Sequence, residues 1–203
     1  MCGLFANVYK KNEQKSLSAI GILGSPRQGS NCDLILDSFL SGLESGQIRC
    51  EKIILNDLKY CPCQACPEIS SDGHCQIDDD FQIIYEKIMR ADIIVLASPL
   101  YFGGVTAQVK AMIDRFQCHW QANRGSQKKD QTLEKKGVFI CVAAVNNPGA
   151  CAPAISVVKN FFATIGARYE KEFICTGLEA RAEIADSPDK LEKARALGQS
   201  LAA

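Results

Sequence analysis

The sequence lacks a net charge, because its 23 lysines and arginines are matched by 23 aspartates and glutamates. A protein that binds DNA or RNA through phosphate contacts needs an excess of positive charge, so this balance argues against a nucleic-acid partner. The chain also contains no run of roughly 18 consecutive apolar residues, which a membrane-spanning helix requires. We therefore expect no nucleic-acid partner and no membrane partner.

The first seventeen residues contain no apolar stretch long enough for a secretory signal peptide. They are polar, carry Lys10, Lys11 and Lys15, and show neither a helical nor a strand period. We predict that residues 1–17 form a polar arm and that residues 18–203 form a single domain of ordinary size. We also expect a cytoplasmic location, where thiols are kept reduced.

Cysteine is abundant for such a protein, with eleven residues in 203. This is about 5% of the chain, below the roughly 8–10% of a short disulfide-rich secreted domain, and the number is odd. Seven of the eleven are scattered, which is typical of small core residues. The other four lie between residues 56 and 78, in a loop that is unusually long for an α/β connection.

These four cysteines are spaced C-x-C-x2-C-x8-C, and they are Cys61, Cys63, Cys66 and Cys75. Four thiolates on one loop are a suitable donor set for a [4Fe-4S] cluster or for tetrahedral zinc, with His74 as a spare zinc ligand. The remaining alternative is a loop without metal that packs beside a ligand or a subunit interface.

Apolar runs alternate with amphipathic segments along the chain, which predicts a doubly wound parallel sheet because each parallel crossover needs a helix. The predicted strands are Ser18 to Leu23, Ile48 to Leu55, 91–98, Val138 to Ala144 and Ala167 to Cys175. The predicted helices cover 30–43, 80–90, 105–116, 155–165 and 191–201. In such sheets ligands bind beyond the carboxyl ends of the strands, at the switch in strand order.

The loop after the first strand has the features of an anion site. Gly24 to Asn31 leads directly into a helix, whose first backbone N–H groups are free to bind an anion, and Ser25 and Ser30 add hydroxyls. The segment matches neither G-x-G-x-x-G nor G-x-x-x-x-G-K-[ST], so a dinucleotide site and a Walker site are disfavoured. It predicts a phosphate monoester, or else a tight turn capped by Ser30.

The loop after the third strand ends in two aromatic residues and two glycines. Tyr101 and Phe102 offer a surface for a planar ring, and Gly103 and Gly104 let backbone N–H groups approach its edge. The alternative is that the two aromatics cap the core at the start of a helix. No side chain here is a nucleophile or base, and we predict no catalytic acid or base.

Three segments, in this order and spacing, resemble the flavodoxin-like NAD(P)H-dependent FMN reductase family and especially its iron-sulfur flavoprotein branch. They are GSPRQGSN, GHCQIDDD and SPLYFGGVTAQVKAMIDR. The resemblance extends over residues 18–175 and implies an α/β flavodoxin-like three-layer sandwich, with a five-stranded parallel sheet in the order 2-1-3-4-5. It also implies FMN as cofactor, NAD(P)H as electron donor, and a homodimer or homotetramer.

The resemblance assigns roles to individual residues. The FMN phosphate would be held by Ser25, Arg27, Ser30 and Asn31. The isoalloxazine would be lined by Pro99, Leu100, Tyr101, Phe102, Gly103 and Gly104. Among the cysteines, Ile69 stands where the family has a ligand, and Cys61 is the candidate substitute. Lys110, Asp114 and Arg115 match family positions, where we expect i,i+4 pairing and subunit contact.

We therefore predict an FMN-dependent oxidoreductase that passes electrons from NAD(P)H to a small acceptor such as a quinone, a flavin or a metal centre. The alternative is a non-catalytic FMN electron-transfer protein, with or without an iron-sulfur cluster. A carrier that docks on cationic partners would be acidic, and this chain is neutral. A third hypothesis is a zinc-stabilised interaction module on the same fold.

Overall fold

The computed structural model describes residues 16–67, 71–124 and 135–202. The predicted polar arm therefore lies almost wholly outside the described residues, as does Ile69. Five strands and six helices occur in these ranges. They are β1 Ser18–Leu23, α1 Asn31–Ser45, β2 Arg49–Ile54, α2 Phe81–Arg90, β3 Ile93–Pro99, α3 Ala107–Asp114, α4 Gln117–Asn123, β4 Lys135–Ala143, α5 Ala152–Thr164, β5 Ala167–Thr176 and α6 Pro188–Ala202.

The five strands form one parallel sheet in the order β2-β1-β3-β4-β5, which confirms the predicted topology. The order reverses between β1 and β3, which pair directly although β2 lies between them in sequence. The loops that follow these two strands therefore emerge side by side at the carboxyl end of the sheet.

Apolar residues cover both faces of the sheet, as expected for parallel strands that are buried on both sides. Along β1, Ile20 and Ile22 belong to one core cluster with residues of α2, α3 and α5, whereas Ala19 and Leu23 belong to a second cluster with residues of α1 and α6. The result is the predicted three-layer sandwich. No helix in the described part of the chain is long and apolar enough to cross a membrane.

The predicted helix over 105–116 is shorter in the structure, where α3 covers Ala107–Asp114 and a separate helix, α4, begins at Gln117. Helix α3 is capped by Thr106, whose side chain accepts a hydrogen bond from the N–H of Val109. The break places Arg115 at the end of α3 and Cys118 near the start of α4.

Candidate functional site

A cavity of about 130 Å³ lies at the carboxyl end of the sheet, where the loops after β1, β3, β4 and β5 meet. Seven of the ten residues expected from the sequence to bind a cofactor line it, and they are Ser25, Arg27, Ser30, Asn31, Pro99, Leu100 and Tyr101. The other three continue the turn that Tyr101 begins. Two loops that the sequence predicted separately thus form one site.

The first loop is shaped by its own hydroxyls. The buried Ser25 Oγ accepts a hydrogen bond from the N–H of Arg27 at 3.2 Å. Ser30 caps α1 by accepting from the N–H of Asp33 at 3.4 Å, and the Asp33 carboxylate accepts from the N–H of Gly29 at 2.6 Å. This capping fixes the first turn of α1. The N–H groups of Asn31 and Cys32 have no acceptor within the helix, and both residues line the cavity.

The Asn31 side chain supports a neighbouring loop. Its Nδ2 donates to the carbonyl of Ala180 at 2.9 Å, and its Oδ1 accepts from the N–H of Ile184 at 3.0 Å. Both ends of the amide are therefore engaged by the loop that follows β5. For a ligand at the cavity, Asn31 offers its backbone N–H, because its side chain is occupied.

Arg181 was not predicted from the sequence, and the loop after β5 brings it to the cavity beside Arg27. Its guanidinium donates to the carbonyl of Gln28 at 2.6 Å and so lies over the first loop. The adjacent Ala182 has a left-handed φ of 58°, a strained conformation that the contacts from Asn31 hold in place. Only the position of this loop at the carboxyl end of the sheet signals its role.

Thr106 joins the first and third loops, and the sequence analysis missed it as well. Its hydroxyl donates to the carbonyl of Gly24 at 2.7 Å while its own N–H donates to Ser98 Oγ at 3.2 Å. A Cβ on Gly24 would lie 2.1 Å from a methyl of Val109, so only glycine permits this approach. The two loops are held at a fixed spacing by these contacts.

Tyr101 to Gly104 form a tight hairpin turn closed by two backbone hydrogen bonds of 2.9 Å. Its central residues, Phe102 and Gly103, have positive φ values of 50° and 77°, as in a type I′ turn. Phe102 is a bulky residue in a left-handed conformation, and its ring is fully exposed. Strain of this kind is concentrated at ligand sites, and the turn presents an aromatic ring beside the cavity.

The Cys-rich loop borders a second cavity of about 140 Å³. Its lining includes Cys63, Cys66, Cys75 and, from α4, Cys118, but not Cys61. Within the described ranges, no three His, Cys, Asp or Glu side chains already converge at metal-ligand geometry. Three of the four predicted metal ligands therefore share one cavity, and a cysteine that the sequence analysis classed as structural joins them.

Arg115 is buried beneath this loop. The expectation of surface pairing and subunit contact is wrong for Arg115, whose side chain is fully enclosed, although the i,i+4 pair of Lys110 and Asp114 is confirmed. Its guanidinium donates to the Asp79 carboxylate at 2.8 Å and, through Nε, to Cys75 Sγ at 3.1 Å. The buried charge pairs with Asp79 because an unpaired buried charge is costly.

The surroundings of Asp79 set its charge. Burial acts to raise its pKa, but hydrogen bonds from Arg115 and from the backbone N–H groups of Cys61 and Phe81 outweigh it and lower the pKa. Asp79 is therefore ionised at neutral pH and ties the start of the Cys-rich loop to α2 and α3.

Comparisons with known proteins agree with this geometry. Residues 17–170 match the family model for NADPH-dependent FMN reductase. The chain is 36% identical over 146 residues to an iron-sulfur flavoprotein of Methanocaldococcus jannaschii, covering 72% of each chain. It is 39% identical over 95 residues to the iron-sulfur flavoprotein of Methanosarcina thermophila, covering 47% of this chain and half of that relative.

The fold has a close structural counterpart in an NAD(P)H:quinone oxidoreductase from Methanothermobacter marburgensis. The two share a TM-score of 0.71 at 21% identity, over 92% of this chain and 96% of that one. The fold and the cavity define a flavodoxin-like protein. The chain belongs to the NADPH-dependent FMN reductase family, and its function class is that of an FMN-dependent oxidoreductase.

Proposed function

We propose that this protein binds FMN at the cavity beyond the carboxyl end of the sheet and catalyses electron transfer from NAD(P)H to a small acceptor. The observation that carries this proposal is the convergence of a helix N-terminus, two arginines and an aromatic turn on one cavity. The resident cofactor of the family has a phosphate monoester at one end and a planar ring at the other, so the residues present fit both of its ends.

The phosphate is assigned to the N-terminus of α1. The first-turn amides, the helix dipole and the side chains of Arg27 and Arg181 all favour a dianion there. The nearby Asp33 is neutralised by Lys52, which bridges Asp33 and Asp37. Burial acts to lower the pKa of Lys52, but the hydrogen bonds to these two carboxylates raise it, so Lys52 keeps its charge.

The ring is assigned to the turn after β3. Pro99 and Leu100 give an apolar wall, Tyr101 lines the cavity, and the exposed Phe102 projects from the turn. Bound FMN supplies two-electron redox chemistry at its ring. The protein binds and orients the ring and shields one side of it from water, and no side chain here serves as an acid or base.

The non-catalytic carrier is disfavoured by the family and by the charge of the chain, which is zero and would give no electrostatic steering to a cationic protein partner. We infer a small-molecule acceptor such as a quinone, a flavin or a metal centre. The homodimer or homotetramer and the cytoplasmic location stay predictions.

A metal centre at the Cys-rich loop is a further part of the proposal. The two relatives compared above are named iron-sulfur flavoproteins. The donor chemistry suits a [4Fe-4S] cluster, since several thiols border one cavity and a buried guanidinium donates to one sulfur. Such a cluster would supply one-electron transfer within the same domain as the flavin.

The experiment that tests the proposed function is steady-state oxidation of NADH and of NADPH by the FMN-loaded protein, with a quinone and with free FMN as acceptors. We expect turnover that depends on bound FMN and is absent from protein stripped of flavin. No turnover above background with any pair, together with rapid reduction by a reduced ferredoxin, would support a carrier and overturn the proposal.

A further inference from the structure

Two separate segments bring four thiols to the second cavity. Cys63, Cys66 and Cys75 come from the loop after β2, and Cys118 comes from the first turn of α4. Cys118 lies beside Cys75, and its thiol donates to the carbonyl of Arg115 at 3.1 Å. The loop therefore provides three of these four cysteines, and α4 provides the fourth.

We propose that Cys63, Cys66, Cys75 and Cys118 form a four-thiolate site for a thiophilic metal centre, either an iron-sulfur cluster or zinc. Both centres are bound by four cysteine thiolates, so the donor set is the same. Cys118 then supplies the fourth ligand from outside the loop, in place of a cysteine at Ile69.

Cys61 is the competing candidate for the fourth ligand, but it lies outside the lining of the cavity. Its N–H donates to the Asp79 carboxylate at 3.0 Å, and its carbonyl accepts from Arg115 at 2.9 Å. Both backbone groups are thus tied to the Arg115–Asp79 pair. The Cys61 sulfur lies 3.7 Å from Nη1 of the same Arg115, and Cys61 does not line the cavity that the other four cysteines share.

Arg115 lies directly against the Cys75 sulfur. Its Nε–H lies 3.1 Å from the Cys75 sulfur, and its guanidinium is fully buried. The Arg115 charge is already paired with Asp79, so its contribution to a four-thiolate site is the hydrogen bond from Nε–H to the Cys75 sulfur. Hydrogen bonds to ligand sulfurs also set metal affinity and redox potential, so Arg115 is a positioning residue of the site.

Completing the site requires the thiols to close around the metal. Cys75 is buried and Cys118 is half-buried, whereas Cys63 and Cys66 are both exposed. Closure therefore moves two side chains that no core packing holds. On binding Zn²⁺, the four thiols become thiolate ligands and release four protons to solvent, and no oxidant or reductant is needed.

The test compares Cys118→Ser with the matched control Cys61→Ser in the full chain, purified anaerobically. One arm adds ferrous and ferric iron in equal amounts together with sulfide, which matches the oxidation level of a [4Fe-4S]²⁺ core. The other arm adds Zn²⁺, and the readouts are metal and acid-labile sulfide per chain. FMN affinity, measured in the same samples, reports whether the domain is folded. Because metal content is read directly, failure of this site is distinguishable from failure of the reductase activity.

We expect wild type and Cys61→Ser to bind metal in one of the two arms, and Cys118→Ser to retain about a tenth or less of the wild-type metal per chain in that arm. Metal loss in Cys61→Ser with retention in Cys118→Ser overturns the assignment, as does wild type that binds metal in neither arm. Should Cys118→Ser fail to fold, alkylation of the wild-type cysteines with and without bound metal provides the test. Metal must then protect Cys118 and leave Cys61 reactive, and the reverse pattern contradicts the proposal.

Discussion

The junction at Thr106 gives a prediction that tests how the two cofactor loops are held together. Thr106 is buried, and its hydroxyl donates to the Gly24 carbonyl at 2.7 Å and accepts from the N–H of Val109 at 3.4 Å. Thr106→Val keeps the shape of the side chain and removes both hydrogen bonds. Because no cavity is created, the effect isolates the hydroxyl.

The magnitude follows from these two contacts. Loss of the α3 cap costs about 1 kcal/mol, and the Gly24 carbonyl left without its partner adds about 1–2 kcal/mol. We expect the free energy of unfolding to fall by about 2–3 kcal/mol, which lowers the Tm by roughly 5–10 °C in a domain of this size. Binding of FMN must then restore the loop spacing, and if this takes about 1.4 kcal/mol the Kd rises about tenfold.

Urea unfolding of the flavin-free protein measures the first effect, and quenching of FMN fluorescence measures the second. The matched control is Thr106→Ser, which retains the hydroxyl and should stay close to wild type in both assays. Equal stability of the valine and serine variants would refute the energetic argument. A destabilised valine variant with unchanged FMN affinity would refute the claim that this junction sets the cofactor site.

Three further predictions address the site and the buried ion pair. Arg27→Ala or Arg181→Ala should each weaken FMN binding about tenfold by removing a charge-assisted phosphate contact. Riboflavin, which has no phosphate, should bind each variant as it binds wild type. Equal losses of affinity for both ligands would contradict the placement of the phosphate at these arginines. Phe102→Gly should weaken FMN binding with little change in Tm. Relief of the left-handed backbone strain gains about 1 kcal/mol, and the larger conformational entropy that glycine loses on folding costs about 1 kcal/mol. Unchanged FMN affinity would show that Phe102 does not contact the ring. Arg115 lowers the pKa of Asp79, so this pair stabilises the fold fully above the ordinary carboxyl pKa of about 3.9, and that stability is lost as the pH falls through the lowered pKa. The urea midpoint of Asp79→Asn should therefore depend less on pH than that of wild type over this acid range. Parallel acid profiles for the two proteins would contradict the prediction.

Much of the fold could be predicted because its signals are local. The apolar run from Ser18 to Leu23 ends at Gly24, and β1 has these bounds. The parallel order follows from alternating strands and helices, and the carboxyl-end rule then brings the loops at Ser25 and Tyr101 to one cavity. These inferences need only periodicity and the handedness of crossovers.

The residues that were missed depend on contacts between distant parts of the chain. Thr106 reaches Gly24 across 82 positions, and Arg181 reaches Gln28 across 153. Arg115 was expected at the surface because Lys110 and Asp114 indicate an exposed helix face. Its burial depends on the Asp79 carboxylate, which precedes α2 and neutralises it, and no local pattern indicates that pairing.

The central claim is that nicotinamide reduces FMN bound in this cavity and that a small acceptor reoxidises it. The most direct test is to mix the FMN-loaded protein with NADPH, and separately with NADH, under anaerobic conditions while recording the visible absorbance of the flavin. We predict that one or both nicotinamides bleach the flavin and that adding a quinone restores it over repeated cycles. A flavin that neither nicotinamide reduces, but that dithionite reduces fully, would contradict the account.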